Sequence, residues 1–396
     1  MSKEKNISLL LGAGFSANKG YPVGKTLNNL LLNCDLNTIG FHTDGRLLVS
    51  TDGTKPSVGY KTSYDINSEF CIDLFKLFNS KIGYFDYEEF YDFLKDKAEQ
   101  DSDVQALAAK YFGPHFQDIS QLLYGCDNLL NQLISYYIKD GNGKRYYDDE
   151  AFLISNTYLG YTGIMSAIQE FSKENIVHVH TLNHDLFFES FTQTQFLPDF
   201  SDGFEELGSP YYGDITKENR SYRCRISHYT GKYNTNIRLY KLHGSFDYGV
   251  YHSSNGFSMS AENYLKTRWG IGFSDFFREK EVDGQLEYER DWVNYHADFL
   301  TGTTSKIQRY KEPLLYKKLF ELFQDNLKNS DKLIIIGYGG RDTEVNNMLL
   351  SCYDYKNKPS FVIDLYPGNA IKDLCEKLGS KLVIKDLEDI LIEDLN

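Results

Sequence analysis

The stretch from Ile7 to Pro22, ISLLLGAGFSANKGYP, constrains the fold of this chain more than any other segment. A short apolar run ends abruptly in Gly12-Ala13-Gly14, and a helical pattern begins just past Pro22. This order predicts a β-strand, a tight turn and a helix. Glycine at position 12 permits the sharp turn, and glycine at position 14 allows backbone amides to approach a pyrophosphate. The same pattern also occurs in turns that bind no ligand, so the motif alone leaves the function open.

Aliphatic and β-branched runs further along the chain predict more strands of the same sheet. These runs are 175–182, 237–242, 332–336 and 361–364. Apolar residues recur at three- and four-residue spacing over 312–327 and 369–378, which predicts helices between and after the later strands. Strands that alternate with helices predict an α/β protein with a Rossmann-like parallel sheet as its core.

The helical pattern between the first two strands predicts a discontinuous domain organisation. Residues 35–174 are expected to form a mainly α-helical inserted lobe, with a hairpin turn near Asp52-Gly53. Residues 1–34 and 175–396 would then form the nucleotide-binding core. The sequence at about 246–310 is rich in Tyr, Gly and Ser and shows no clear periodicity, so we expect an irregular insertion there.

The net charge argues against broad binding to nucleic acid. The 396 residues include 42 Lys and Arg and 56 Asp and Glu, which gives a formal charge of −14. Such a field repels phosphate backbones, so direct nucleic-acid binding is not expected. A hydrophobic content of 41% and an aromatic content of 15% are typical of folded globular proteins.

The cysteine pattern and the apolar runs bear on location and metal content. Six cysteines are widely scattered without a C-x-x-C pair, so we expect no zinc module and no disulfide framework. The run from Ile7 to Leu11 is too short for a signal peptide, and no run reaches the roughly 18 apolar residues of a membrane span. The sequence therefore predicts a cytoplasmic protein with reduced thiols and no membrane contact.

Polar residues or glycines follow each predicted strand directly. They are the Gly12-Ala13-Gly14 turn, Asn183-His184-Asp185, His243, Gly337-Tyr338-Gly339 and Asp364. In open parallel sheets ligands bind at the carboxyl ends of the strands. We therefore expect all five endings to lie at one edge of the sheet and to form the functional site.

Four short motifs in this order resemble the sirtuin-like NAD-consuming enzymes, and more closely their bacterial branch associated with anti-phage defence. The motifs are Gly12-Ala13-Gly14-x-Ser16, Thr181-x-Asn183-x-Asp185, Leu242-His243-Gly244 and Gly337-Tyr338-Gly339-x-x-Asp342. The resemblance implies an NAD+ hydrolase that cleaves the nicotinamide–ribose bond to give ADP-ribose and nicotinamide. It also implies that NAD+ is depleted in defence, by abortive infection, when the enzyme is triggered.

The resemblance also implies roles for individual residues. Asn183 would lie beside the nicotinamide ribose, Asp185 would orient that part of the pocket, and His243 would be the catalytic histidine. The residues implied at the NAD pyrophosphate are Gly12, Ala13, Gly14 and Ser16. The residues implied in the rest of the NAD site, near the adenosine side, are Gly337, Tyr338, Asp342 and Asp364.

Departures from the classical sirtuins narrow the expected activity. Classical deacylases carry a Pro-Asp-Phe-Arg segment after the first glycines and a four-cysteine zinc module. Here the matching segment is Tyr21-Pro22-Val23-Gly24 and the cysteines are unpaired, which argues against protein deacylation. Unregulated NAD loss would kill the host, so the resemblance implies control by self-assembly into a homo-oligomer or by a separately encoded activator or ATPase partner.

Two other functions and several purely structural roles remain open. The chain would also fit a catalytically silent NAD- or ADP-ribose-binding module that regulates a partner. Asn183-His184-Asp185, with His178 and His180 nearby, also suggests a metal-dependent phosphoesterase, although the other motifs of that class are missing. Asn183-His184-Asp185 and Asp342 are also typical of helix caps, and His243 of a strand end.

Overall fold

The computed structural model describes residues 5–42, 45–50, 59–141, 143, 158–197, 199–217, 220–254, 259–268, 270–290, 296–303 and 305–396. The hairpin turn expected near Asp52-Gly53 lies outside these residues.

Within the described residues the chain forms sixteen strands. They are β1 (Lys5–Leu11), β2 (Ile39–Phe41), β3 (Leu47–Val49), β4 (Asn175–Thr181), β5 (Gly203–Glu205), β6 (Tyr211–Lys217), β7 (Arg220–Arg225), β8 (Ser227–Lys232), β9 (Ile237–Lys241), β10 (Tyr248–Ser254), β11 (Met259–Lys266), β12 (Phe276–Val282), β13 (Gln285–Arg290), β14 (Lys332–Ile336), β15 (Ser360–Ile363) and β16 (Lys381–Val383).

The same residues form twelve α-helices. They are α1 (Gly14–Ala17), α2 (Gly24–Leu32), α3 (Ser63–Ile82), α4 (Tyr87–Asp96), α5 (Ser102–Ala108), α6 (Ile119–Tyr137), α7 (Thr162–Ser172), α8 (Phe187–Ser190), α9 (Ser305–Arg309), α10 (Tyr316–Asn329), α11 (Thr343–Cys352) and α12 (Asn369–Leu378). None of them has both the length and the apolar character that crossing a membrane requires.

Six strands form a parallel sheet in the order β16-β15-β14-β1-β4-β9. If these six strands are numbered 1 to 6 along the chain and the sheet is read from β9 to β16, the order is 3-2-1-4-5-6. This is the doubly wound order of Rossmann folds. The predicted fold class, a Rossmann-like parallel sheet core with a large helical insertion, is confirmed. The order reverses between β1 and β14, where such sheets open a crevice for a ligand.

The central strands are buried on both faces because their sequences are almost continuously apolar. In β1, Leu9 and Leu11 pack into the core on one face of the sheet, and Leu10 packs into the core on the other. Helices α2 and α7 contribute to the first core, with Leu31 and Ile168 fully or nearly fully buried. Helices α10, α11 and α12 contribute to the second core. The sheet is therefore covered on both sides, and its strand ends are the places left for a ligand.

The register of the sheet brings five strand ends to one edge. Leu11 pairs with both Thr181 and Ile336, so β1, β4 and β14 end at the same level. Thr181 pairs with Lys241, and Ile336 pairs with Ile363, which adds β9 and β15. The residues that follow these strands therefore start together at the edge, as the sequence predicts.

Helices α3 to α6 lie between β3 and β4 and form the helical insertion. Helix α3 begins with a capping box, in which the side chains of Thr62 and Asp65 each accept a hydrogen bond from the other residue's backbone amide. The helices pack through aromatic residues such as Phe75 and Phe90, whose ring centroids are 4.8 Å apart. These residues belong to the same core as one face of the sheet, so the insertion packs directly on it.

Two four-stranded antiparallel sheets are formed by the residues around β9. Their strand orders are β10-β11-β8-β5 and β13-β12-β6-β7. The expectation of an irregular insertion at about 246–310 is wrong, because β10 to β13 and α9 lie in this range. Most side chains of β13 are exposed. An exposed strand does not need alternating apolar residues, so a search for that alternation does not find it. The exact division of the chain into domains remains a prediction.

Two histidines that suggested a metal site lie inside the sheet. The ring nitrogens of His178 lie 3.1 Å from the Tyr240 hydroxyl and 3.1 Å from Asn6 Oδ1. His180 is fully buried between Tyr240 and Phe323, and neither of its ring nitrogens has a hydrogen-bond partner in the described structure. Both side chains are therefore packed as parts of β4.

Burial of these histidines predicts a loss of stability in mild acid. Burial lowers the pKa of His178 to about 4, from an ordinary value of 6.5. The unfolded chain then binds a proton below pH 6.5 that the folded chain does not bind until about pH 4. This difference removes about 3 kcal/mol of folding free energy across that window, with no further loss from this residue below it.

Urea unfolding at pH 7, 5.5 and about 4.5 would measure this loss. The His178→Gln variant keeps a hydrogen-bonding side chain but does not titrate, so its free energy of unfolding should fall less over the same range. Equal pH dependence in the two proteins would contradict the prediction.

Candidate functional site

The turn after β1 packs closely on the turn after β14. The amide of Gly14 donates to the carbonyl of Gly337 at 2.9 Å, and the amide of Gly12 donates to Ile336 at 3.0 Å. A Cβ atom on Gly12 would lie 2.6 Å from Cα of Tyr338, and one on Gly14 would lie 2.7 Å from Cα of Gly337. The glycines at 12 and 14 are thus required by the contact between the two turns.

The outer side of the first turn remains accessible. Ala13 and Gly14 are exposed, whereas Phe15 and Ser16 are buried behind them. Tyr161 lies next to α7, and its buried hydroxyl donates to the carbonyl of Phe15. This hydrogen bond holds the turn on its buried side. Contact between this turn and a pyrophosphate remains a prediction.

Asn183 and Asp185 tie the end of β4 to the same turn. Asn183 Nδ2 donates to the carbonyl of Gly12 at 3.0 Å and lies 3.5 Å from Ser16 Oγ. Ser16 Oγ donates to Asp185 Oδ2 at 2.8 Å, and the amide of Phe187 donates to Asp185 Oδ1 at 3.0 Å. Asp185 therefore both accepts a hydrogen bond from the first amide of the short helix α8 and orients the serine. The structure brings Gly12, Ser16, Asn183 and Asp185 together.

A buried ion pair supports this turn from the core side. Lys241 Nζ lies 3.1 Å from Glu189 Oε1 and also donates to the carbonyl of Asp185. Both charged side chains are almost completely buried. Burial raises the pKa of Glu189, and the neighbouring ammonium of Lys241 opposes that change. The pair holds the 183–190 segment in place against β9.

His243 follows β9 and faces Asp342 across the edge of the sheet. The distance between His243 Nε2 and Asp342 Oδ2 is 3.5 Å, and His243 is 6% exposed. Lys306 Nζ lies 2.8 Å from the same oxygen of Asp342. Asp342 also caps α11, since its Oδ1 accepts a hydrogen bond from the amide of Val345 at 3.1 Å. The predicted cap and the predicted site residue are therefore the same side chain.

The electrostatics of this cluster keep the histidine neutral and the aspartate charged. Burial lowers the pKa of His243 well below its usual value, and the positive charge of Lys306 lowers it further. Burial alone would raise the pKa of Asp342, but His243 and Lys306 together lower it below its usual range. Because His243 is neutral, we take Lys306 as the main partner of the aspartate. A neutral imidazole beside a carboxylate is suited to accept a proton.

The remaining predicted residues lie in the loops after β14 and β15. The Tyr338 hydroxyl lies within hydrogen-bond distance of the carbonyl of Asp342, at 3.1 Å, and of Asn346 Oδ1, at 2.9 Å, and donates its one proton to these acceptors. This contact stabilises the loop that carries the aspartate. Asp364 is half-buried, and its carboxylate accepts a hydrogen bond from the amide of Tyr366 at 2.8 Å. Burial raises the pKa of Asp364. Their roles at the adenosine side of NAD remain predictions.

The arrangement around Asn183-His184-Asp185 also bears on the metal hypothesis. Among the residues that the structure describes, no three His, Cys, Asp or Glu side chains are grouped so that they could hold a metal ion. His184 is packed against Phe299, and burial lowers its pKa to about 3.

Sequence reasoning missed Lys306 and Glu88. Lys306 belongs to α9, within the range that was expected to be irregular, and Glu88 belongs to α4 of the helical insertion. Glu88 Oε2 lies 3.6 Å from Lys306 Nζ. Neither residue follows a strand of the central sheet or belongs to a motif, so no local signal in the sequence could have identified them.

Comparison of the sequence with models of known protein families and with curated proteins gives no match. Similar solved structures include one from work on the mechanism and regulation of Sir2 enzymes, with 13% identity over 99% of this chain and 92% of that chain and a TM-score of 0.33. A complex of a Sir2 homologue with NAD has 11% identity, 99% and 89% coverage and a TM-score of 0.37. A mutant Sir2 homologue with 2′-O-acetyl ADP-ribose has 11% identity, 99% and 91% coverage and a TM-score of 0.35. The fold class of this chain rests on the strand order of its own central sheet.

Proposed function

We propose that this protein is an NAD+ hydrolase that cleaves the bond between nicotinamide and ribose, releasing ADP-ribose and nicotinamide. The observation that carries the proposal is the contact of His243 with Asp342 at the sheet edge that also holds Asn183. This edge adjoins the point where the strand order of a Rossmann-type sheet reverses, which is the usual place for a dinucleotide. The four motifs that resemble sirtuin-like enzymes are the second support.

The proposed chemistry needs one base and one group that orients the sugar. The bond from ribose C1′ to the nicotinamide nitrogen breaks, and nicotinamide leaves as a neutral molecule with the electron pair. The oxygen of a water molecule bonds to C1′, and the proton of that water passes to His243. The carboxylate of Asp342 beside Nε2 stabilises the imidazolium that forms. The proton is then returned to solvent.

Asn183 is proposed to position the ribose hydroxyl or the attacking water. Its amide nitrogen is held by the carbonyl of Gly12, which fixes the orientation of the side chain. Its Oδ1 is the atom that would accept a hydrogen bond from the substrate. Asp185 acts indirectly, because it holds Ser16 and the start of α8. Fixed geometry of this kind lowers the entropic cost of reaching the transition state.

The biological setting is proposed from the resemblance of the motifs. It comprises depletion of NAD+ in anti-phage defence, a homo-oligomer, a separately encoded activator or ATPase partner, and a cytoplasmic location.

A time course of NAD+ loss by the purified protein tests the proposal. We expect NAD+ loss matched by equal amounts of nicotinamide and ADP-ribose, with and without a chelator of divalent metals. NAD+ loss that yields AMP and nicotinamide mononucleotide and disappears with the chelator would favour the metal-dependent phosphoesterase. NAD+ binding in calorimetry without turnover would favour either the silent binding module or an enzyme that lacks its proposed activator. Turnover that stays absent at the highest protein concentration and in an extract of the producing cells, which would contain the activator, would contradict the proposed hydrolase.

A further inference from the structure

Lys306 is a buried lysine that contacts two carboxylates from different parts of the chain. Its side chain is 5% exposed, and its Nζ lies 2.8 Å from Asp342 Oδ2 and 3.6 Å from Glu88 Oε2. A buried ammonium is costly unless opposite charges compensate for it. Burial lowers the pKa of Lys306, but Glu88 and Asp342 raise it above its usual value, so the side chain remains charged.

The two carboxylates connect the helical insertion to the site. Glu88 lies in the first turn of α4, whereas Asp342 caps α11 and faces His243. Burial raises the pKa of Glu88, and the charge of Lys306 opposes this change. Glu88, Lys306, Asp342 and His243 therefore form a series of charged or polar neighbours, 3.6, 2.8 and 3.5 Å apart, that extends from the insertion to the proposed base.

We propose that Lys306 is a positioning residue of the site, and that Glu88 is the group through which the helical insertion adjusts it. Lys306 holds the carboxylate of Asp342 close to His243, and its positive charge adds to the burial that keeps the imidazole neutral and able to accept a proton. Glu88 partly offsets the charge of Lys306. The catalytic part of this inference rests on the proposed NAD+ hydrolase; the electrostatic part does not.

The groups that face this network define the expected directions of change. His243 is faced by Asp342, Lys306 and His184, and Lys306 by Asp342 and Glu88. The hydroxyls of Tyr310 and Tyr338 lie close enough for both carboxylates to act on them. Removal of the positive charge of Lys306 leaves Asp342 as the nearest charge to His243, which favours the imidazolium. Removal of the negative charge of Glu88 leaves the charge of Lys306 less compensated, which lowers the pKa of His243.

A salt bridge with a purely structural role would lower stability when it is broken. It would not raise the pKa of His243 when Lys306 is neutralised and lower that pKa when Glu88 is neutralised. We therefore compare Lys306→Met, Lys306→Arg and Glu88→Gln with the wild type. NMR of protein labelled with 15N in histidine reports the charge of each ring, and the His243→Gln variant assigns the signal. We expect the pKa of His243 to rise by about one unit or more in Lys306→Met, to stay near wild type in Lys306→Arg, and to fall in Glu88→Gln.

Steady-state hydrolysis of NAD+ provides the second readout. In Lys306→Met we expect kcat at pH 7 to fall at least about tenfold with little change in KM, because Asp342 loses the contact that holds its carboxylate close to His243. The acidic limb of the pH profile should move upward with the pKa of His243. Lys306→Arg should restore most of kcat. Thermal unfolding of each variant checks the fold, and Lys306→Arg and Glu88→Gln keep the test open if Lys306→Met does not fold.

The outcomes separate this inference from the proposed function. Expected NMR shifts in a protein that does not hydrolyse NAD+, even in an extract of the producing cells, would support the electrostatic role of Lys306 and contradict the hydrolase. Hydrolysis in wild type together with an unmoved pKa of His243 in Lys306→Met would overturn the inference and leave the hydrolase in place. Shifts of the same sign in Lys306→Met and Glu88→Gln would also overturn it.

Discussion

Replacing His243 by alanine will lower the rate of NAD+ hydrolysis by about a hundredfold to ten-thousandfold, the usual contribution of a general base. The fold should survive, because Asp342 keeps its ion pair with Lys306 and its cap of α11. The backbone of His243 also keeps its place, since its carbonyl accepts a hydrogen bond from the amide of Leu300 at 2.8 Å. Initial rates at pH 7, with circular dichroism and urea unfolding on the same samples, measure both expectations.

The Asn183→Ala variant should lose a similar fraction of activity for a different reason. Without the side chain no group remains to orient the ribose hydroxyl or the water, while the imidazole of His243 is unchanged. The lost hydrogen bond to Gly12 should cost only about 1 kcal/mol of stability. The exposed His115 on the helical insertion provides a control, because His115→Ala should retain full activity. Wild-type rates in either site variant would remove the proposed mechanism.

The sequence predicted which residues lie at the strand ends along one edge of the central sheet, because the relevant signals are local. Apolar runs that end in glycine or polar residues identify strand ends, and parallel strands place such ends at one edge. Asn183, Asp185 and His243 therefore appear where they were expected. The order of the six strands was not predictable, since it depends on which strands pair, and single-sequence patterns carry no pairing information.

One missed element did have a local signal. The turn between β12 and β13 is Asp283-Gly284, with φ of 51° and 77°, in a hairpin where Val282 pairs with Gln285. An Asp-Gly pair between two short runs is a strong indication of a tight hairpin. The sequence pattern did not reveal the hairpin, because β13 is largely exposed and the residues of β12 next to the turn are charged, so neither run shows the apolar alternation of a half-buried strand.

Other parts of the site depend on contacts that no local pattern encodes. Glu88 and Lys306 are separated by more than half of the chain, and each lies on a helix that resembles any amphipathic segment. The sequence also did not show why glycine is needed at positions 12 and 14. Sequence reasoning assigned Gly14 to a close approach by a pyrophosphate, whereas the structure shows that its amide already donates to Gly337.

That contact makes Gly337 the most sensitive glycine of the site. Its φ is +58°, and an added Cβ would collide with the backbone of Gly14 and Phe15. The left-handed conformation and the overpacking together predict that Gly337→Ala loses about 2–5 kcal/mol of unfolding free energy. The same collision would push the turn after β1 away from β14, so we expect NAD+ binding to weaken even under conditions where the variant remains folded.

Gly339, two residues further along the same loop, gives a matched control. It is exposed, and a Cβ there would have no heavy atom within 4 Å. Gly339→Ala should therefore keep the stability of the wild type in urea unfolding. A Gly337→Ala variant as stable as Gly339→Ala would show that the two turns do not depend on their close contact. In that case a ligand, and not the packing of the turns, would be the reason for glycine at positions 12 and 14.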